Sequence, residues 1–202
     1  MAETQDAKAA TRYSIRLARA QVSPKEQIEK AQQLMRIVIQ LPEFMGSQHI
    51  AAYWPNDGEI NPLSILATAH EMKKSCYLPK LGPAPTIQMQ FMAYLPGDYL
   101  TANRLGILEP SLIDRKTIPA DALDLTLVPL IAFDEKGQRL GMGKGYYDHT
   151  FAFRKNDSKA KPFLLGLAYD LQKVSQVPSE KWDIPLDGIA TETGYINFKD
   201  LL

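Results

Sequence analysis

"LDLTLVPLIAF", residues 123–133, is the most continuous apolar run in the chain, and the glycine-rich stretch "GQRLGMGKGYYDHT", residues 137–150, follows it almost at once. A run apolar at nearly every position fits a strand buried on both faces, which needs covering layers above and below its sheet. Pro129 cannot donate to a sheet ladder, so it marks a bulge or the strand's end. The rest of the pattern agrees. Residues 7–20 and 24–41 read as helices, the second capped by Ser23 with Pro24 at its first position and Glu26 or Gln27 in its first turn. Its Ile28, Ala31, Leu34, Met35, Val38 and Ile39 share a face. "HIAAYW" (49–54) and "SCYLP" (75–79) read as strands, separated by the turn "PNDGEINP" and a helix from Pro62 to about Lys73. That alternation points to βαβ units and a largely parallel sheet. "IQMQFMAYL" (87–95) reads as an edge or antiparallel strand, 96–121 as irregular surface chain, and "FLLGLAY" (163–169) and "DGIATET" (187–193) as further strands. With no repeat or linker, residues 1–202 are expected to form one α/β domain.

Four of the chain's 12 glycines, Gly137, Gly141, Gly143 and Gly145, fall within nine residues, with Arg139, Lys144 and Asp148 among or just after them. Glycine is tolerated where backbone bends left-handed or approaches a ligand closely. Two explanations stand level on spacing alone: amides and cations converging on phosphate, or an irregular structural loop. The stretch is not a Walker A loop, because Met142 stands where the second glycine belongs and Gly145 follows Lys144. It is not GxGxxG either, since Tyr146 occupies the third glycine's place counted from Gly141. Its position, between a buried strand and a helix expected to begin at "YYDHTFAF", is where open α/β sheets bind ligands and where helix N-termini favour anions. Adjacent residues point different ways, so one of Tyr146 and Tyr147 is expected to face the loop. Arg12, Arg16 and Arg19 recur at helical spacing and form either a solvated basic stripe or a second set of phosphate cations. Glu59, in the turn after the strand at 49–54, is either a carboxylate exposed at the same sheet edge or an ordinary turn acid.

Composition removes several function classes. Lys plus Arg and Asp plus Glu number 23 each, so net charge is zero and non-specific nucleic-acid binding is not expected. Cys76 is the only cysteine, which excludes an intramolecular disulfide and a multi-cysteine metal site, and its apolar strand implies an inert thiol. His49, His70 and His149 are scattered without metal-ligand spacing, and there is no GxSxG elbow. The N-terminus lacks the apolar run of a signal peptide, and no stretch approaches the ~20 apolar residues of a membrane span. A cytoplasmic protein without membrane partners is expected.

Taken together, "RYSIR" (12–16), "YWPNDGEI" (53–60), "CYLPK" (76–80), "LVPLIAFDEKGQRLGMGKGYYD" (127–148) and "WDIPLDGIATE" (182–192) resemble, in order and over nearly the whole chain, the 5-formyltetrahydrofolate cyclo-ligase family, also called methenyltetrahydrofolate synthetase. The resemblance implies a three-layer α/β sandwich around a mainly parallel, Rossmann-like sheet. It also implies an ATP-dependent closure of 5-formyltetrahydrofolate to 5,10-methenyltetrahydrofolate, with phosphorylation of the formyl oxygen and release of ADP and phosphate. On this resemblance Arg12 and Arg16 contact nucleotide, while Arg139, Gly141, Gly143, Lys144, Gly145, Tyr146 and Tyr147 hold ATP phosphates and border the formyl group. Lys144 is the main stabiliser of the transferring phosphoryl charge, with Arg139 and Tyr147 beside it. Trp54, Glu59, Met142 and Tyr146 contact the folate, Glu59 through the pterin. Asp148 and Asp183 hold Mg2+, with Asp187 as a competing second ligand. The chain departs from the family at Arg12, where Lys is frequent, at Trp182, where His is common, and at Met142, which can be Arg. A monomer is expected. Two other readings remain at this point. One is a sugar-phosphate isomerase or CoA-transferase-like enzyme on a related fold, needing no ATP. The other is a non-catalytic folate- or nucleotide-binding paralogue, against which Lys144 and Asp148 argue.

Overall fold

The apolar run forms a central strand of an eight-stranded sheet. In the computed structural model, which describes residues 2–111, 115–157 and 160–201, the helices are α1 (Ala2–Ala20), α2 (Pro24–Val38), α3 (Pro42–Met45), α4 (Leu63–Glu71) and α5 (Tyr146–Thr150). The strands are β1 (His49–Ala51), β2 (Ser75–Leu81), β3 (Met89–Ala93), β4 (Leu100–Ala102), β5 (Leu108–Pro110), β6 (Thr117–Ile118), β7 (Leu125–Pro129), β8 (Ala132–Phe133), β9 (Arg139–Leu140), β10 (Phe163–Leu167), β11 (Gly188–Thr191) and β12 (Gly194–Asn197). The large sheet runs β12-β11-β10-β7-β1-β2-β3-β6. Its five inner strands, β11 to β2, are parallel to one another, and β12, β3 and β6 add antiparallel edges.

β7 is buried on both faces because alternate side chains enter different cores. Leu125 and Leu127 pack with Leu34 and Val38 of α2, Phe44 of α3 and Ile65 and Leu66 of α4. Val128 points to the other face, where Phe91, Phe151, Ile184 and Phe198 cover the sheet. A mainly parallel sheet between covering layers is therefore what the chain forms. α2 begins with a full capping box: Ser23 Oγ accepts from Glu26 N at 3.3 Å, and Ser23 N donates to Glu26 Oε2 at 2.9 Å.

Several boundaries differ from the sequence expectation for identifiable reasons. The helix expected to reach residue 41 stops at Val38, because Leu41 precedes Pro42 and is held extended. Pairing in β1 ends at Ala51, and β7 ends at Pro129, which separates it from β8. Pro62 is a cap to α4 rather than its first residue. The segment 96–121, expected to be irregular, instead builds the β4–β5 hairpin and the edge strand β6. β12 returns antiparallel along β11 after residues 192–193. The helix at "YYDHTFAF" is one short turn, continued as a 3-10 segment over Ala152–Asn156.

Topology now places the site. From β1 the chain moves outward to β2 and β3; from β7 it moves the opposite way to β10 and β11. The strand order reverses between β1 and β7, and a crevice opens outside their C-terminal ends. At the centre, Gly166 of β10 has no room for a side chain, since an added Cβ would lie 2.6 Å from Leu186 Cδ1, 2.7 Å from Ile189 Cδ1 and 2.9 Å from Leu130 Cδ2. Gly166→Ala is expected to destabilise the fold by about 1–3 kcal/mol through overpacking. A lowered urea midpoint at unchanged slope would show it; an unchanged midpoint would mean that this core yields freely.

Candidate active site

The C-terminal ends of β1, β2 and β7 open into a cleft of about 500 Å3. Gln5, Lys8, Arg12 and Arg16 of α1 form one wall, one helical turn apart from Lys8 onward. Tyr53, Trp54, Asn56 and Glu59 follow β1 into the cleft, and Pro79, Leu81 and Pro129 come from the ends of β2 and β7. Asn103, Leu105, Ile107 and Leu108 of the β4–β5 hairpin face them. Residues 139–149, with Trp182 and Asp183, complete the enclosure. α1 is held there by Ile15, which packs with Ile131, Ala132, Leu140 and Val177 beside the β8–β9 hairpin.

The glycine stretch divides into two parts. Gly137 belongs to the turn of the β8–β9 hairpin, where it takes φ +76 against Phe198, and it does not line the cleft. Gly141, Gly143 and Gly145 do line it. Arg12 Nε donates to the Gly141 carbonyl at 2.9 Å, and its guanidinium lies where a Cβ on Gly143 would be 3.4 Å away. Gly143 also holds φ +99, so both close approach and backbone conformation call for glycine. Gly145, at φ +71, turns the chain into α5. Lys144 is exposed between them and makes no hydrogen bond or ion pair among the described residues.

Charge in the cleft is fixed by pairing. Arg139 is buried; its Nη2 donates to Asp148 Oδ1 at 2.6 Å, and its guanidinium lies 5.8 Å from the centre of the Tyr147 ring. Arg139 Nε is buried without a partner. Asp148 Oδ1 also accepts from Ile184 N at 3.1 Å. Asp183 Oδ2 accepts from Lys8 Nζ at 3.4 Å and from Glu180 N at 2.8 Å. Each aspartate thus keeps its other oxygen without a hydrogen bond among the described residues. Among the described residues no group of three or more His, Cys, Asp or Glu gathers as a metal cluster. Burial, then the neighbouring Arg16, lowers the Arg12 pKa, with Asp183 opposing.

Glu59 is 8% exposed and accepts from Asn56 N at 3.1 Å. Burial pushes its carboxyl up to about 7, against the Asn56 hydrogen bond and the charges of Arg19 and Arg16. Burial and then the Glu59 charge push the Tyr147 phenol up, with Arg139 opposing. Tyr146 and Tyr147 both line the cleft but turn to different partners. Tyr146 Oη accepts from Arg104 Nη2 at 2.9 Å, whereas Tyr147 stacks near Phe151 with ring centres 6.2 Å apart.

The cleft brings together Arg12, Arg16, Trp54, Glu59, Arg139, Gly141, Met142, Gly143, Lys144, Gly145, Tyr146, Tyr147, Asp148 and Asp183. Besides Gly137, two residues that the sequence placed near them lie elsewhere. Asp187 is buried outside the cleft, where Arg154 Nη2 at 2.7 Å, Leu164 N at 2.7 Å and Lys199 Nζ at 3.2 Å occupy it, so it does not compete for a metal there. Arg19 is buried and does not line the cleft. Sequence reasoning missed Lys8, although its i, i+4 spacing to Arg12 was a usable signal. It also missed the β4–β5 hairpin, for which no local signal existed. The assembled site combines cations and glycine amides with the apolar side chains of Trp54, Leu105, Ile107 and Met142 in one lining. It suits an anionic ligand held beside a flat, largely apolar one.

The model of the 5-formyltetrahydrofolate cyclo-ligase family matches residues 4–192. The chain is 38% identical over 176 residues to the 5-formyltetrahydrofolate cyclo-ligase of Haemophilus influenzae, covering 87% of this chain and 92% of that one. It is 37% identical over 177 residues to the Escherichia coli K12 protein of the same description, covering 88% and 96%. Among solved structures, it resembles that of Aquifex aeolicus 5,10-methenyltetrahydrofolate synthetase with a TM-score of 0.80 at 28% identity, covering 96% of this chain and 93% of that one.

The raised Glu59 carboxyl has a stability consequence. Below its ordinary value of 4.5 the group is protonated in both folded and unfolded chains, and its ionisation costs nothing. As pH rises from there to about 7, the unfolded chain has released a proton that the folded chain retains, so stability falls. Above about 7 the cost is fully present, on the order of 3 kcal/mol. Glu59→Gln is therefore expected to raise the melting temperature clearly at pH 8 and little at pH 5, read by thermal unfolding. An equal gain at both would contradict the burial argument.

Proposed function

From the premise that this chain belongs to the 5-formyltetrahydrofolate cyclo-ligase family, we propose how its cleft converts 5-formyltetrahydrofolate and ATP into 5,10-methenyltetrahydrofolate, ADP and phosphate. The supporting observation is the Arg12–Gly141 contact, which joins the cationic face of α1 to the glycine loop around one cavity. Triphosphate lies between them, with amides of the loop and the Arg12, Arg16 and Lys144 cations toward its oxygens. Pterin and benzoyl rings occupy the apolar part against Trp54, Met142 and Tyr146, and the Glu59 carboxylate accepts from pterin N–H groups.

The formyl oxygen is an amide oxygen and a poor leaving group, so closure needs activation. That oxygen attacks the γ-phosphorus, the bond to the β,γ-bridging oxygen breaks, and ADP departs. N10 then attacks the formyl carbon and loses its proton. The carbon–oxygen bond breaks, and phosphate leaves carrying the former formyl oxygen. The protein's part is positioning and charge stabilisation. Lys144 is free to follow the transferring phosphoryl group, whereas Arg139 is fixed by Asp148 beside Tyr147. The unused oxygens of Asp148 and Asp183 form a donor set that fits Mg2+, which commonly takes one or two carboxylates together with phosphate oxygens and water. These two residues would hold the ion, which when bound would neutralise phosphate charge.

Among the described residues no helix is long and apolar enough to cross a membrane, and a cytoplasmic setting suits a consumer of ATP.

Growth of the near-ultraviolet absorbance of methenyltetrahydrofolate should require 5-formyltetrahydrofolate, ATP and Mg2+, and oxygen-18 in the formyl group should appear in the released phosphate. Lys144→Ala should lower kcat by about 10²-fold or more. Label remaining out of phosphate would exclude phosphorylation of the formyl oxygen. A variant within a few-fold of the parent would remove Lys144 from its role.

A further inference from the structure

The cleft uses Arg12 and Arg16 but leaves Arg19, the third arginine of the same helix face, without a function. Arg19 is 1% exposed and lies behind the turn that carries Glu59. Its Nη2 donates to the Asp57 carbonyl and, at 3.0 Å, to Asp57 Oδ2. Arg16 Nε reaches the same carboxylate oxygen at 2.9 Å. Asp57 holds φ +51 and Gly58 φ +69. Asp-Gly is a favoured pair where two successive turn residues are left-handed, and the turn closes on its own hydrogen bond, so what outside contacts decide is where it sits against α1. Arg19 supplies them by gripping both the backbone and the side chain of Asp57. The turn in its turn fixes Glu59, whose N–H donates to the Asn56 carbonyl at 3.0 Å while its carboxylate accepts from Asn56 N.

Position is one effect, and charge is the other. Arg19 Nε and Nη1 are buried without partners, and Asp57, its counter-charge, is partly exposed to water. The charged and titratable groups around Glu59 are Arg16 and Arg19 of α1, Asp57 of the turn, Tyr53 before the turn and Tyr147 of α5. Of these, Arg19 is the fully buried cation.

We propose that Arg19 is a positioning residue for folate recognition: through Asp57 it holds the turn that presents Glu59 to the pterin, and it sets a buried cation behind that carboxyl. The inference rests on the assignment of Glu59 to the pterin. An ionised acceptor makes folate affinity rise with pH through the Glu59 transition, about 7 in the intact protein. Removing the nearby cation moves that rise to higher pH.

The test is the dissociation constant of 5-formyltetrahydrofolate across the neutral pH range, by calorimetry, with a non-hydrolysable ATP analogue titrated in parallel. Arg19→Met should weaken folate binding about tenfold at pH 7 and move the midpoint upward, with nucleotide affinity changed much less. Arg19→Lys keeps the charge but loses the fork, so its midpoint should stay while affinity falls several-fold. Glu59→Gln should flatten the pH dependence, and adding Arg19→Met should leave it flat. An Arg19→Met protein with the parent's folate affinity and midpoint, or with both ligands lost in step, overturns the inference. If that variant does not fold, Arg19→Lys decides, and parental folate affinity there overturns it equally. If Glu59→Gln alone leaves affinity and pH dependence intact, the pterin assignment fails first and takes the inference with it.

Discussion

The ion pair between Arg139 and Asp148 closes the loop on which the site depends. The two residues stand at either end of the glycine segment, one in β9 and the other in α5, and meet at 2.6 Å with Arg139 buried. A guanidinium in such a place is tolerable only when paired, and the pairing dictates that the intervening backbone arch outward. Gly141, Gly143 and Gly145 let it arch without side chains, and Arg12 then reaches in to the Gly141 carbonyl. Asp148 also accepts from Ile184 N, which draws in the segment carrying Trp182 and Asp183. One ion pair, buried on its arginine side, thus links the loop, the helix after it and a distant segment.

The site is locally less stable than it needs to be as a fold, and the departures serve its chemistry. Glu59 is buried where ionisation is disfavoured, Asp57 carries left-handed backbone, and Arg139 Nε lacks a partner. Each would be relieved by a simpler residue. All three belong to or border the surface where folate and phosphate are proposed to meet, which is where locally unfavourable features concentrate.

Much of this was legible in the sequence. β7 announced itself by unbroken apolarity, because a strand buried on two faces has no polar side to show. α2 was marked by Ser23, Pro24 and Glu26. The glycine loop was visible through composition, yet composition gave Gly137 and Gly143 the same weight. Only the pairing of Phe133 with Arg139 puts Gly137 in a hairpin turn, and only the docking of α1 puts Gly143 under Arg12. The β4–β5 hairpin was hidden because its strands are three residues each, too short to display an alternation. Arg16 and Arg19 look alike in a helical stripe. Burial of one and half-exposure of the other depend on where the Asp57 turn lies, 38 residues away from Arg19.

The most direct measurement is of the glycine loop itself: amide resonances of the protein titrated with a non-hydrolysable ATP analogue and Mg2+. The amides of Gly141, Gly143 and Gly145 and the Arg12 Nε–H should shift together along one saturation curve, with Gly194 at the far sheet edge unmoved. Nucleotide binding with those four signals stationary would place the triphosphate elsewhere and contradict the account.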